Sequence, residues 1–376
     1  MKSPDATPVL IGHPFAPIGR GEDIRCTFRA LRSVAIRPKL LDLYPLQSAA
    51  GAGYDEFVDT LTPQAGNINI FHLNGDEIEP ALKTLRGRLP DSAYNIIYPA
   101  WELSRYPQEW LRQLNRFDEV WAPSEFIRDS LRGDLTRPLL HMPLACEVVL
   151  SSLLNRRYFG IPESAFAFLF FFDLRSYATR KNPMAVLQAF LKLRVLRPTA
   201  DCCLIIKLNG SEHDHAAAAE LRDAVAAQNE RIFLIDKTLS DDEVKNLIRS
   251  CDCFVSLHRA EGFGRGLAEA MYLGKPVIAT AYSGNLDFMH EHNSLLVDYQ
   301  LVPLCEGDYP AWQDQFWADP DIEQAARLMA QLVDDPSWGQ SLGRFASLDV
   351  RRGISYRACG LRYRNRLAEI VRAVGD

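Results

Sequence analysis

From Phe166 onward, short apolar stretches alternate with helix-length amphipathic segments, and this alternation constrains the fold more than any other feature of the chain. The apolar stretches are Phe166–Phe172, Cys202–Lys207, Ile232–Ile235, Cys253–Leu257 and Val277–Ala279. Between them lie Pro183–Leu193, Ala216–Gln228, Asp241–Arg249 and Gly266–Leu273, each with helical spacing. Strands that are apolar on both faces belong to parallel sheets covered by helices on each side. This half therefore predicts one Rossmann-like domain.

The first half repeats the rhythm less regularly. Val9–Gly12, Asn67–His72, Asn95–Tyr98 and Glu119–Ala122 read as strands. Pro107–Phe117 reads as a helix, as does Phe126–Leu131, with Ser124 as its N-cap. The loop His13–Gly21 leads to a helix expected to start near Glu22. Around Leu139–Ala145 the unit ends, and a weakly patterned connector runs through Pro162-Glu163-Ser164. Beyond Phe345 the spacing is helical with no further strand. The expectation is an α/β chain of two Rossmann-like domains facing across a cleft. The first covers 1–150 plus a returning helix at 346–376, and the second covers 151–345. A length of 376 residues is enough for two such cores.

Composition narrows the function. Apolar residues at 47% and charged residues at 24% exclude a disordered chain. A formal charge of −6 gives no support to a nucleic-acid binder. MKSPDATPVLIGHP lacks the apolar core of a secretory signal, and Ala165–Phe172 is far shorter than the ~20 residues that span a bilayer. Cys202-Cys203 and Cys251-x-Cys253 sit in apolar runs, where cysteine acts as a small buried hydrophobe. A cytoplasmic location is expected.

The segment CFVSLHRAEGFGRGLAEAMYLGKPVIAT, Cys253–Thr280, carries the most chemistry. A buried strand runs into a turn with Gly262, Gly264 and Gly266, and a helix carrying Glu269 follows. Glycines let backbone N–H groups approach an anion, and the helix N-terminus adds partial positive charge. A diphosphate fits there, and the carboxylates of Glu261 and Glu269 suit sugar hydroxyls. A dinucleotide fingerprint would sit in the first βα unit, with an acidic residue ending the next strand. Here the glycines come late and Val277–Ala279 runs into Thr280, so a dehydrogenase is not indicated.

The phrase EGFGRGLAEAMYLGKPVIAT is similar to E-G-F-G-x-x-x-x-E-A-M-A-x-G-x-P-V-I-A of retaining glycosyltransferases with the GT-B fold, in the large family numbered 4. Glu261 and Glu269 have the spacing of its E-x7-E motif. The resemblance implies that Glu261 contacts the donor sugar and Glu269 the nucleotide ribose. It places Phe263 and Gly264 as backbone donors, with Arg265 and Gly266 near the phosphates. FFFDLRSYATRKNPMAVLQAF, Phe170–Phe190, resembles the family's R-x-x-x-x-K-[GN] phosphate loop. Lys181 matches its lysine. Ser176 stands where an arginine is usual, leaving Arg175 or Arg180 to substitute. Lys207, closing its strand, is counted with the donor-binding residues.

NIIYPAWELSRYPQEWLRQLNRFDEVWAPSEFIRDSL, Asn95–Leu131, resembles the polysaccharide-type members, mannosyl- and rhamnosyltransferase-like. Trp101, Trp110 and Trp121 read as core. Glu102 is either an acceptor contact or half of a surface ion pair. By family position His72 faces the donor sugar. Gly19-Arg20-Gly21-Glu22 matches the glycine-rich first loop, with Arg20 and Gly21 beside phosphate or acceptor. Asn285, in YSGNLDF, is a further donor candidate.

Glu212-His213-Asp214-His215 and His290-Glu291-His292 lack metal-ligand spacing, and Asp319-Pro320-Asp321 reads as a helix cap. Arg351 to Arg372 holds seven arginines against Glu369 alone. This stretch reads as a helix crossing back onto the first domain, with a peripheral membrane contact as the alternative. The resemblance implies transfer of a hexose from a GDP- or UDP-sugar to a glycan or lipid-linked glycan, with retention, no metal and no cofactor. A non-catalytic GT-B scaffold that binds nucleotide or glycan is the alternative. A phosphorylase or sugar-nucleotide epimerase is a weaker third.

Overall fold

The computed structural model describes residues 7–16, 18–43, 54–228 and 231–375. The opening residues 1–6 and Pro17 of the first loop, both used in the sequence reading, lie outside these. The chain divides into two compact units, Met1–Glu147 with Arg352–Asp376, and Val148–Arg351.

The first unit is built on six parallel strands: β1 (Val9–Gly12), β2 (Lys39–Asp42), β3 (Ile68–Phe71), β4 (Tyr94–Ile97), β5 (Glu119–Ala122) and β6 (Leu139–His141). They lie in the order β2-β1-β3-β4-β5-β6. The order reverses beside β1, so the loops leaving β1 and β3 flank a topological switch point. The first helix, Gly19–Ser33, starts earlier than Glu22. A Cβ on Gly21 would lie 2.1 Å from the Ala16 carbonyl oxygen, so the glycine lets the incoming loop close onto the helix start.

The last helix, Tyr356–Gly375, belongs to this unit and packs on Gly19–Ser33. Gly360 permits that approach, since a Cβ there would meet the Ala30 carbonyl oxygen at 2.1 Å. Tyr363 stacks on Trp121 at 5.3 Å, and Arg366 Nε donates to the buried Glu119 carboxylate at 3.0 Å.

The second unit holds β7 (Phe166–Asp173), β8 (Cys202–Asn209), β9 (Ile232–Asp236), β10 (Cys253–Ser256), β11 (Val277–Thr280) and β12 (Leu295–Val297). All are parallel, in the order β12-β11-β10-β7-β8-β9. Phe168, Phe170 and Phe172 share one apolar core with residues of the helices Pro183–Leu196 and Ile322–Asp334. On the other face, Phe171 and Phe254 lie under the helix Arg265–Tyr272. β7 and β10 are neighbours although two strands separate them in sequence, which makes this the second switch point.

An antiparallel hairpin, β13 (Tyr299–Pro303) and β14 (Phe316–Pro320), follows β12. It is tied down through Arg259, whose carbonyl accepts from Ala318 N at 2.9 Å. The Arg259 guanidinium pairs with Asp319 at 2.8 Å and lies 5.5 Å from the Trp317 ring centroid. Asp321 caps the next helix by accepting from Gln324 N at 2.9 Å. Among the described residues, no helix is long and apolar enough to cross a membrane.

Candidate active site

The second switch point lies between the loops that leave β7 and β10. Asp173, the last residue of β7, organises the first of these. It accepts from Arg175 N at 2.9 Å, from Arg175 Nη2 at 2.6 Å and from Asn209 at 2.7 Å. Arg175, read as a phosphate-binding substitute, is therefore already neutralised by its neighbour. The loop turns through two non-glycine residues with positive φ, Tyr177 at 64° and Asn182 at 57°. Such strain concentrates at functional sites.

Arg180, the other candidate substitute, packs inward. Its side chain is buried, and its Nη1 donates to the Ala260 carbonyl at 2.7 Å and lies 3.3 Å from Glu261 Oε2. It braces Glu261 from within the protein. Lys181, closer to solvent, pairs with the other oxygen of the same carboxylate. Burial pushes the Glu261 carboxyl up, but Lys181 and then Arg180 outweigh it and bring it down to about 2. Glu261 is thus a fixed anion, suited to accepting sugar hydroxyls.

The backbone of Glu261 is fixed as well. Its N–H donates to Ser283 Oγ at 2.8 Å, and its carbonyl accepts from Gly284 N at 2.9 Å. Ser283 reaches this position at a φ of 79°. Behind it lies His258, buried, with Nδ1 3.1 Å from Ser256 Oγ and Nε2 3.2 Å from Asn285 Oδ1. Burial lowers the His258 pKa, outweighing the opposing pull of Glu261. Asn285, expected to bind the donor, is fully buried, and its side chain is engaged by His258 and the Thr280 carbonyl. It holds the wall of the site.

Gly264 caps the helix Arg265–Tyr272 with φ 91°, a conformation that side chains disfavour. A Cβ on Gly266 would lie 2.8 Å from the Phe171 ring, so only glycine lets this helix start settle on the sheet. Arg265 lies over the Phe263 ring at 5.8 Å, and Glu269 is buried in the same helix. The helix N-terminus supplies N–H groups and positive potential for an anion. On β8, Lys207 is buried, and this desolvation lowers its pKa to about 8 despite Asp173 and Asp236 nearby.

In the first unit, His13 and His72 follow β1 and β3 at the other switch point. Glu77 gathers the group: it pairs with Arg20, lies 3.0 Å from His13 Nε2 and accepts from Asn74 N at 2.9 Å. Arg20, read as reaching phosphate or acceptor, is held by this carboxylate, with Gly21 beside it in the first turn of Gly19–Ser33. His72 is buried against Tyr98 at 5.1 Å, and Glu102 is partly buried beyond β4. Sequence reasoning passed over His258, Ser283 and Glu77. The histidine ending an apolar strand was the available signal for the first, and nothing local marked the other two.

The metal-like clusters resolve into ordinary structure. Asp214 caps its helix, accepting from Ala217 N at 3.0 Å, and His290 lies 3.4 Å from Asp349. Among the described residues, no three metal-binding side chains converge.

Two Rossmann-like α/β units with parallel six-stranded sheets, each with its polar groups at the carboxyl ends beside the switch point, define the GT-B class of fold. More particularly, residues 160–303 match the family "Glycosyl transferases group 1", so the second unit carries a glycosyltransferase group 1 domain. The chain is 28% identical over 116 residues to the Alpha-1,3/1,6-mannosyltransferase ALG2 of Dictyostelium discoideum, a match covering 31% of this chain and 22% of that protein. Among solved structures, Anabaena Alr3699/HepE in complex with UDP-glucose aligns at TM-score 0.69 and 14% identity, over 96% of this chain and 99% of that one. A glycosyltransferase from Rickettsia africae ESF-5 aligns at TM-score 0.69 and 14% identity over 98% and 99%. Sucrose-phosphate synthase (tll1590) from Thermosynechococcus elongatus aligns at 0.68 and 15% over 98% and 100%. These structural likenesses establish the shared fold.

Proposed function

We propose that the chain is a retaining, metal-independent glycosyltransferase that moves a hexose from a GDP- or UDP-sugar to a hydroxyl of a glycan or lipid-linked glycan. The observation that carries this reading is the Lys181–Glu261–Arg180 arrangement beside the start of helix Arg265–Tyr272, at the switch point of the domain that matches the transferase family.

In this reading the diphosphate lies on the Gly262–Gly266 turn, Glu261 accepts hydroxyls of the sugar and Glu269 those of the ribose. Phe263, Gly264, Arg265 and Gly266 line the turn, and Lys207 lies below on β8. The bond from the anomeric carbon to the phosphate oxygen breaks. The acceptor oxygen bonds to the same carbon from the same face, and its proton passes to the departing phosphate. Negative charge then builds on the diphosphate, where Lys181 and the helix N-terminus stabilise it, often the largest contribution to catalysis. His72, Gly21 and Arg20, at the first unit's own switch point, and Glu102, beyond β4, are assigned to the sugars. The exposed arginines of the last two helices, Arg352, Arg357, Arg364 and Arg372, support a peripheral contact with an anionic membrane at its cytoplasmic face.

The experiment is a transfer and hydrolysis assay with GDP- and UDP-sugars, with and without EDTA, following the anomeric configuration by NMR. Turnover of one donor with retention and no loss in EDTA is expected. Nucleotide binding without turnover of any donor would favour the scaffold reading.

A further inference from the structure

A cleft of about 620 Å³ opens beside the β7 loop, within the second unit. Its volume suits a small-molecule site. Tyr177 lines it, 40% exposed, with its ring edge-on to Tyr309 at 4.7 Å. Tyr309, carried by the β13–β14 loop, is buried beneath and lies 5.9 Å from the Arg180 guanidinium. Tyr177 is held at a φ of 64°, where glycine would be at ease and a bulky side chain is not. The fold thus presents an aromatic ring on a backbone that disfavours it.

The charges of the cleft identify what it accepts. Arg175 and Arg259 line it, but each has its own carboxylate partner, Asp173 and Asp319. The remaining charged groups are Asp214, whose Oδ1 caps its helix, Glu220, and Asp308, whose Oδ2 accepts from Cys305 N, beside His213, and together they make the lining negative. Phosphate or nucleotide is repelled, whereas a neutral polyhydroxyl ligand finds hydroxyl acceptors beside an aromatic face.

We propose that this cleft is a saccharide subsite in which a sugar ring stacks on Tyr177 and gives hydroxyl hydrogens to Asp214 and Glu220. Building on the transferase reading, it holds a unit of the acceptor glycan beyond the one that reacts. The cleft is lined by Arg175, Tyr177, Ala178, Thr179 and Asn182, residues of the loop that also carries Lys181.

The test is calorimetry with mannotriose, maltotriose and cellotriose on the wild type, Tyr177→Gly and Tyr177→Phe, with thermal midpoints recorded. At least one trisaccharide should bind, about tenfold more weakly to Tyr177→Gly and nearly unchanged to Tyr177→Phe. The glycine variant's midpoint should change little, because relief of the positive φ offsets the lost contact with Tyr309. Failure of all three to bind, equal binding by Tyr177→Gly, or competition by inorganic phosphate overturns the subsite. So does a lower midpoint in Tyr177→Gly with saccharide binding intact, which would give the ring a packing role. UDP and GDP binding is measured in parallel. Its absence sinks the transferase reading, and its presence without saccharide binding sinks the subsite alone.

Discussion

Lys181 and Glu261 stand 80 residues apart in the chain, yet their side chains pair across the boundary between β7 and β10, with Arg180 3.3 Å away on the other carboxylate oxygen. The two cations differ in kind. Lys181 is the more exposed of the two, and Arg180 is buried against Glu261.

Lys181→Ala should therefore lower kcat by about 10²–10³-fold, the loss typical of one stabilising donor in a transition state. Stability should also fall, but by less than in Arg180→Ala, because Arg180 still pairs with Glu261 and the Ala260 carbonyl keeps its donor. Steady-state rates alongside a thermal melt will show whether the two effects separate.

Arg180→Ala should do the opposite in proportion. It leaves the Ala260 carbonyl and the Glu261 carboxylate without their buried guanidinium, at about 3–5 kcal/mol for a broken buried pair. Urea unfolding measures this. A loss as small as that of Lys181→Ala would contradict the bracing role.

Gly266→Ala pushes a methyl into the Phe171 ring, from a starting distance of 2.8 Å. It should cost about 1–3 kcal/mol and abolish nucleotide binding by displacing the helix start. Gly353, in helix Pro336–Ile354, has open space around its Cα. Gly353→Ala should be neutral or stabilise by about 0.5–1 kcal/mol, which makes it the matched control.

Lys207 gives a pH signature. Its folded pKa of about 8 lies below the ordinary 10.5, so between those values the unfolded chain holds the extra proton. Stability from this group therefore rises with pH across that window and is flat below it. Lys207→Met should remove the rise and raise the melting temperature at neutral pH. An unchanged alkaline profile would show that Lys207 is solvated.

Parts of this architecture were legible in sequence for definite reasons. FAFLFFFD of β7 is apolar on both faces, so it reads as a central parallel strand. KLLD of β2 has a charged residue at each end of only two leucines, and LLH of β6 has three residues, so neither shows a pattern. In the β13–β14 hairpin, Tyr299, Leu301 and Phe316 are exposed, which hides its alternation. Glu261, Glu269 and Lys181 stood out by their motifs. Arg175 and Asn285 were read as donor-binding from their motifs; that Asp173 and His258 also engage them is not visible in sequence. That information lies in the packing of separate loops.

The most direct measurement is thermal stabilisation of the protein by UDP and GDP, with and without EDTA, in the wild type and in Glu269→Ala. At about 100 times the dissociation constant a ligand adds roughly 2.7 kcal/mol. The account predicts a clear upward shift with one of the two nucleotides, indifferent to EDTA and lost in Glu269→Ala. No shift with either, or a shift that survives in Glu269→Ala, would contradict a nucleotide-sugar site on this helix.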